Sequence, residues 1–143
     1  MTGAGAAKDP GRWNVRGEHV IYAAPTLAMA VLETAAHIDD SGLPLNKYVI
    51  AIDVPDDVWA ARTVFPAEDL PVGWDSIPHS MASTAAGSAW FAARESAIAE
   101  FPSAVVLEEP IVVIHAQHPD AQKITATATR RFYYNQVFRR RPA

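Results

Sequence analysis

The sequence predicts an α+β fold in one compact domain, and three observations carry that expectation. Runs rich in β-branched and aromatic residues occur at 19–23 and 48–54 and again from residue 103 onward. Helical composition is confined to 26–38 and to an Ala-rich stretch at 80–99. Strands with helices set between them in this way indicate α+β rather than a one-for-one alternation. The length, 143 residues, suits a single core that hides roughly two-thirds of the unfolded surface.

Each element follows from local chemistry. Residues 1–10, rich in Gly and Ala and ending in Asp9-Pro10, form an approach loop without periodicity. Residues 19–23 favour a strand, and Pro25 suits the first turn of the helix at 26–38. On that helix Leu27, Val31, Ala35 and Ile38 make one apolar stripe, while Glu33 shares its own face with Met29 and His37, each four positions away. Asp39-Asp40-Ser41-Gly42 closes the segment, and 48–54 alternates as a strand with Tyr48, Ile50 and Ile52 on one face. Asp39-Asp40 and Asp56-Asp57 suit helix ends better than a metal, because neither pair lies in a glycine-punctuated calcium loop.

Residues 59–80 hold several prolines and form a long surface excursion, with Trp74 placed either to close over a ligand or to pin the loop to the core. The helix at 80–99 carries Trp90, Phe91 and Ser96, and Gly87 permits another element to approach closely. Strands are expected at 103–107, 111–116 and 124–134, with His118-Pro119-Asp120 as a turn between the last two.

Composition excludes several function classes. With no cysteine there is no disulfide framework, thiolate zinc site or cysteine nucleophile, which suits a reducing cytoplasm. No run of about 18 apolar residues is present, so no membrane association is expected. Net charge is -4, but five of the twelve Lys+Arg fall in residues 130–143, where there is no acid. The acidic remainder argues against direct nucleic-acid binding, and the basic tail Arg139-Arg140-Arg141-Pro142-Ala143 is a solvated end or a contact for an acidic surface, including that of a second copy in a homodimer. The five histidines lack helical metal-motif spacing, so no metal is expected, and no phosphate-binding glycine loop or nucleophile elbow occurs.

What stands out is residues 11–37: Gly11-Arg12-Trp13-Asn14, then Gly17, Val20-Ile21-Tyr22, and Leu32-Glu33 with His37. A cation, a phenol, a carboxylate and an imidazole meet on one strand-helix unit. With Leu43-Pro44, Tyr48-Val49, Ile52-Asp53-Val54-Pro55, Leu70-Pro71-Val72-Gly73-Trp74, Gly87-Ser88-Ala89-Trp90, Pro102-Ser103-Ala104-Val105-Val106 and His118-Pro119-Asp120, this order and spacing resembles the RES family. These are bacterial toxins, named for an arginine, a glutamate and a serine, that pair with Xre-type antitoxins.

The resemblance covers about 110 of the 143 residues and makes 1–143 one domain of that family, with an N-terminus that looks shorter than usual for the family and so points to an uncovered sheet edge or one that a partner covers. It implies a split antiparallel sheet with flanking helices, similar to the ADP-ribosyltransferase fold, with NAD as substrate. It carries Arg12, Tyr22, Glu33 and Ser103 as catalytic residues. Arg12 would fork onto an NAD phosphate, Tyr22 would stack on nicotinamide or its ribose, and Ser103 would bond the nicotinamide amide or orient Glu33. Trp13, Asn14 and His37 are further substrate-binding candidates. Glu33 would stabilise the oxocarbenium-like ribosyl cation left when nicotinamide departs. The implied activity is toxic NAD consumption by hydrolysis or phosphorolysis. The alternatives are transfer of ADP-ribose to a protein and, from another class, an inactive module that only binds its helix-turn-helix Xre antitoxin.

Overall fold

The computed structural model describes residues 1–38, 44–134 and 137. In chain order the elements are helix α1 (Ala4–Lys8), strand β1 (Val20–Ala23), helix α2 (Leu27–Ala35), strand β2 (Lys47–Asp53), helix α3 (Asp56–Ala60), strand β3 (Thr63–Val64), helix α4 (Met81–Ala93) and strands β4 (Ile98–Pro102), β5 (Pro110–His115) and β6 (Thr125–Phe132). Short 3-10 turns occupy Ala67–Asp69 and Pro119–Lys123.

A four-stranded sheet in the order β1-β5-β4-β3 lies beside a two-stranded ribbon of β2 and β6. All pairings are antiparallel except β3 with β4, so the larger sheet is mixed rather than purely antiparallel as expected. The physical reason is the connection: parallel neighbours need a long crossover, and α4 lies in the one between β3 and β4.

The sheet is apolar on both faces, and the alternation of β4 and β5 separates two cores. Ala99, Phe101, Ile111 and Val113 join Trp13, Val20, Trp74 and Trp90 on one side; Ile98, Val112 and Ile114 join Val58, Ala97 and Ile124 on the other. Gly87 of α4 lies against the Trp13 backbone so closely that an added Cβ would sit 1.8 Å from the Trp13 carbonyl oxygen. The close approach expected of Gly87 is thus made by the segment that opens the site.

Several expectations are corrected. The N-terminal segment holds α1, which packs on β1, instead of being loop throughout. Helix α2 begins after Thr26, whose hydroxyl accepts the Met29 N–H at 3.2 Å, so Pro25 precedes the helix. Its buried residue is Met29, on the face of Glu33, while Leu27 of the expected stripe is 43% exposed. The carboxylate face turns inward because Ser103 gives it a polar partner there. Helix α4 stops at Ala93, with Arg94 in the left-handed region at φ 53°, and residues 98–102 form the strand expected at 103–107. Ser96 is therefore not helical; its hydroxyl contacts Thr63 Oγ1 (2.7 Å), accepts the Trp90 indole N–H (3.0 Å) and donates to the Ile98 carbonyl (2.9 Å). Tyr48 and Ile50 of the face expected in β2 are exposed, and the ribbon is irregular there, with Thr129 the extra residue on β6 opposite Val49 and Ile50. Asp56 and Asp57 lie in the first turn of α3, where negative charge suits the helix dipole. Asp39-Asp40-Ser41-Gly42 and the basic tail 139–143 lie outside the described residues.

Candidate active site

The Gly11-Arg12-Trp13-Asn14 loop is held from below by a buried amide. Asn14 Oδ1 accepts the Gly11 N–H (2.8 Å) and the Tyr22 hydroxyl (2.7 Å), while its Nδ2 donates to the Ala6, Val15 and Glu18 carbonyls (2.8, 3.2 and 3.3 Å). The Tyr22 oxygen in turn accepts the Trp13 N–H at 3.0 Å. Burial pushes this phenol well above its ordinary pKa, against a smaller lowering by the Trp13 N–H, so Tyr22 stays protonated. Gly11 is glycine because a Cβ would come within 2.8 Å of the Tyr22 ring.

Trp13 is buried and stacks on Phe101 at 4.0 Å and on Trp74 at 6.0 Å. Trp74 thus pins its excursion to the core; it is not a lid. The Trp13 indole N–H finds no hydrogen-bond partner among the described residues. Arg12 continues the anchoring: its Nη1 donates to the Trp74 and Ser76 carbonyls at 2.8 and 2.9 Å. Partial burial lowers its pKa, opposed by the nearby Glu33 and Asp75.

Glu33 reaches the same place from α2. Its carboxylate accepts a hydrogen bond from Ser103 at the end of β4, and the Ser103 oxygen accepts the Val105 and Val106 N–H groups, each at 3.0 Å. Ser103 is buried, with its proton committed to Glu33 and its oxygen to two backbone amides. The His37 ring bonds through Nδ1 to the Glu33 backbone carbonyl at 2.7 Å rather than to the carboxylate.

These residues surround a cleft of about 590 Å³, within the size range of small-molecule sites. Arg12, Trp13, Tyr22, Glu33 and His37 line it; Asn14 and Ser103 do not, and act from behind its wall. The lining also includes Ile77, Pro78 and His79. Sequence reasoning missed these three, because they enter only through the Arg12 contacts that draw residues 74–76 to the site, and no spacing announces that. The cleft places a fixed carboxylate opposite an arginine and beside a phenol, under an apolar wall of Ala23, Ala104, Val105 and Ile111. Such a surface can hold a polar, partly aromatic ligand and stabilise positive charge developing near Glu33. Among the described residues no helix is long and apolar enough to cross a membrane, and no group of three or more His, Asp or Glu could hold a metal ion.

Comparison with known proteins agrees with the motif. The model of the RES domain family matches residues 1–135. A protein of Sphingobium sp. (strain YBL2) named Prs ADP-ribosylating toxin is 42% identical over 94% of this chain and 84% of its own length. Proteins named Toxin Res are each 30% identical: one from Photorhabdus laumondii covers 90% of the chain and 81% of its own length, and one from Yersinia enterocolitica 85% and 78%. With the family model spanning residues 1–135 and relatives of 30% identity or more matched over at least 85% of the chain, the protein belongs to the RES domain family.

Proposed function

We propose that this protein is a toxin that uses NAD as substrate and transfers its ADP-ribose to a protein. The observation that carries the reading is the Glu33 carboxylate, oriented by Ser103 and facing a cleft shared with Arg12 and Tyr22. In the reaction the C1′–N bond of the nicotinamide riboside breaks and the bonding pair leaves with nicotinamide, which departs neutral. Glu33 stabilises the resulting ribosyl cation more than the ground state, and the acceptor closes the new bond at C1′ while losing its proton. Arg12 offers Nη2 and Nε, which have no hydrogen-bond partner among the described residues, to a phosphate oxygen. Tyr22, with its hydroxyl fixed at both ends, presents a rigid ring to nicotinamide or ribose.

Support for transfer over hydrolysis or phosphorolysis comes from the 42%-identical relative, whose name specifies ADP-ribosylation. Water or phosphate at the same position would instead deplete NAD, so the acceptor alone separates the readings. An Xre-type helix-turn-helix antitoxin would cover the cleft, and the site of action would be the cytoplasm. The test is to incubate the pure protein with NAD labelled in its adenylate half, with and without a bacterial extract, and to follow the label. The reading predicts label covalently held on an extract protein. Label recovered only as ADP-ribose or its 1-phosphate would replace transfer by NAD degradation, and intact NAD in both arms would leave an inactive module.

A further inference from the structure

Three of the five titratable groups that line the cleft are cations or become cations on protonation: Arg12, His37 and His79. The other two are Glu33, tied to Ser103, and Tyr22, tied to Asn14. His79 lies at the exposed rim and makes no hydrogen bond to a described residue. It follows the stretch whose Trp74 and Ser76 carbonyls Arg12 holds, so the guanidinium brings the imidazole to the cleft. His37 donates its Nδ1–H to the Glu33 carbonyl, so its Nε2 is an acceptor in the neutral ring and a donor to an anion only when the ring carries a second proton.

We propose that His79, with His37 and Arg12, forms a pyrophosphate-binding rim, and that His79 takes up a proton as the anion binds. This rests on the NAD reading and identifies the part of the dinucleotide that these side chains recognise.

Like charges gathered in one cleft without a counter-ion are unfavourable. The His79 pKa is held below its ordinary value by partial burial, then by Arg12, then by His37. Glu33 faces the same space, but Ser103 already occupies one of its oxygens, and Asp75 beside Arg12 does not line the cleft. A bound pyrophosphate reverses the sign of the local field, so the imidazole gains a proton and a charge-assisted hydrogen bond together. Affinity for the anion then rises as pH falls from about 8 toward 6, the range in which an imidazole changes charge.

The experiment is calorimetric titration of ADP-ribose, inorganic pyrophosphate and adenosine into the protein at pH 7.5, in buffers of different ionisation enthalpy. The expected result is net proton uptake with ADP-ribose and pyrophosphate and none with adenosine. His79→Gln should abolish most of the uptake, weaken ADP-ribose about tenfold and raise KM for NAD more than it lowers kcat. Being exposed, His79 tolerates that change without unfolding. Binding of ADP-ribose by the wild type without uptake, or uptake and affinity undiminished in His79→Gln, would overturn the rim while leaving the NAD reading intact. Pyrophosphate bound with uptake while ADP-ribose fails to bind would support the rim and sink the NAD reading instead. Failure of both anions to bind would overturn both.

Discussion

The Gly11–Asn14 loop and the Glu33–His37–His79 rim meet at one cleft, yet they use their polar groups in opposite ways. Asn14 commits both ends of its amide to the chain, the Tyr22 hydroxyl is both donor and acceptor within the protein, and one Arg12 nitrogen is given to two carbonyls. Across the cleft, Glu33 keeps an oxygen free of Ser103, and His79 bonds no described residue. The first region fixes the backbone that carries Arg12 and Tyr22, and the second leaves its polar groups unspent. Loss of the Asn14 support should therefore appear as lost stability, and loss of the Glu33 charge as lost turnover.

The largest expected effect is at Glu33. Glu33→Gln keeps the volume and the Ser103 contact but loses the charge facing the ribosyl cation, so turnover should fall by about 10²- to 10³-fold, with NAD affinity changed only a few-fold. Steady-state kinetics beside a binding titration checks this; turnover near the wild-type rate would move Glu33 out of the working region.

Asn14→Ala should do the reverse. It strands the Gly11 N–H and several carbonyls in a buried place, at a cost of about 2–4 kcal/mol in folding stability by denaturant titration. A variant as stable as the wild type would show that the amide is not the support of the loop.

Ser103 stands between the two regions. Because it touches Glu33 and two backbone amides but does not line the cleft, Ser103→Ala should lower kcat about tenfold, a barrier change of about 1.4 kcal/mol, with KM nearly unchanged. A rise in KM alone would mean that the hydroxyl meets the substrate. Ser96→Ala should reduce stability, since that serine bonds Thr63, Trp90 and Ile98 in the interior.

The smallest effect sharpens the comparison through another histidine. His115 is fully buried, stacked on Phe91, and occupied at both nitrogens by the Phe91 carbonyl and the Gln117 N–H. Its pKa is lowered chiefly by burial, then by Arg94. The folded protein thus holds fewer protons here than the unfolded chain, so the stability due to neutral His115 is complete above pH about 6.5 and declines as pH falls through the lowered folded value. Denaturant midpoints at pH 7.5 and 5.5 should show the loss, and His115→Gln should reduce the difference between them. An identical difference in that variant would assign the acid sensitivity elsewhere.

How much of this was legible in the sequence follows the same division. Strands with strong β-branched runs, 20–23, 47–53, 110–115 and 125–132, were close to their expected places, because the local signal and the core agree there. The boundary after α4 was not, since an Ala-rich helix gives no compositional stop and the left-handed turn falls on Arg94 instead of a glycine. Arg12, Tyr22, Glu33 and His37 were legible as a pattern and do share a cleft. Their partners in space were less so: Asn14 gave no sign of being a buried hub, and His79 arrives through a side chain gripping a distant backbone.

If Glu33 drives cleavage of the nicotinamide–ribose bond in this cleft, the rate of nicotinamide release from NAD by wild type and Glu33→Gln, each with bacterial extract as a source of acceptor and each shown folded, tests it most directly. The wild type should release nicotinamide in step with label appearing on protein, and the variant should release it about 10²-fold or more slowly. Equal release by the two proteins, or none by the wild type, would contradict it.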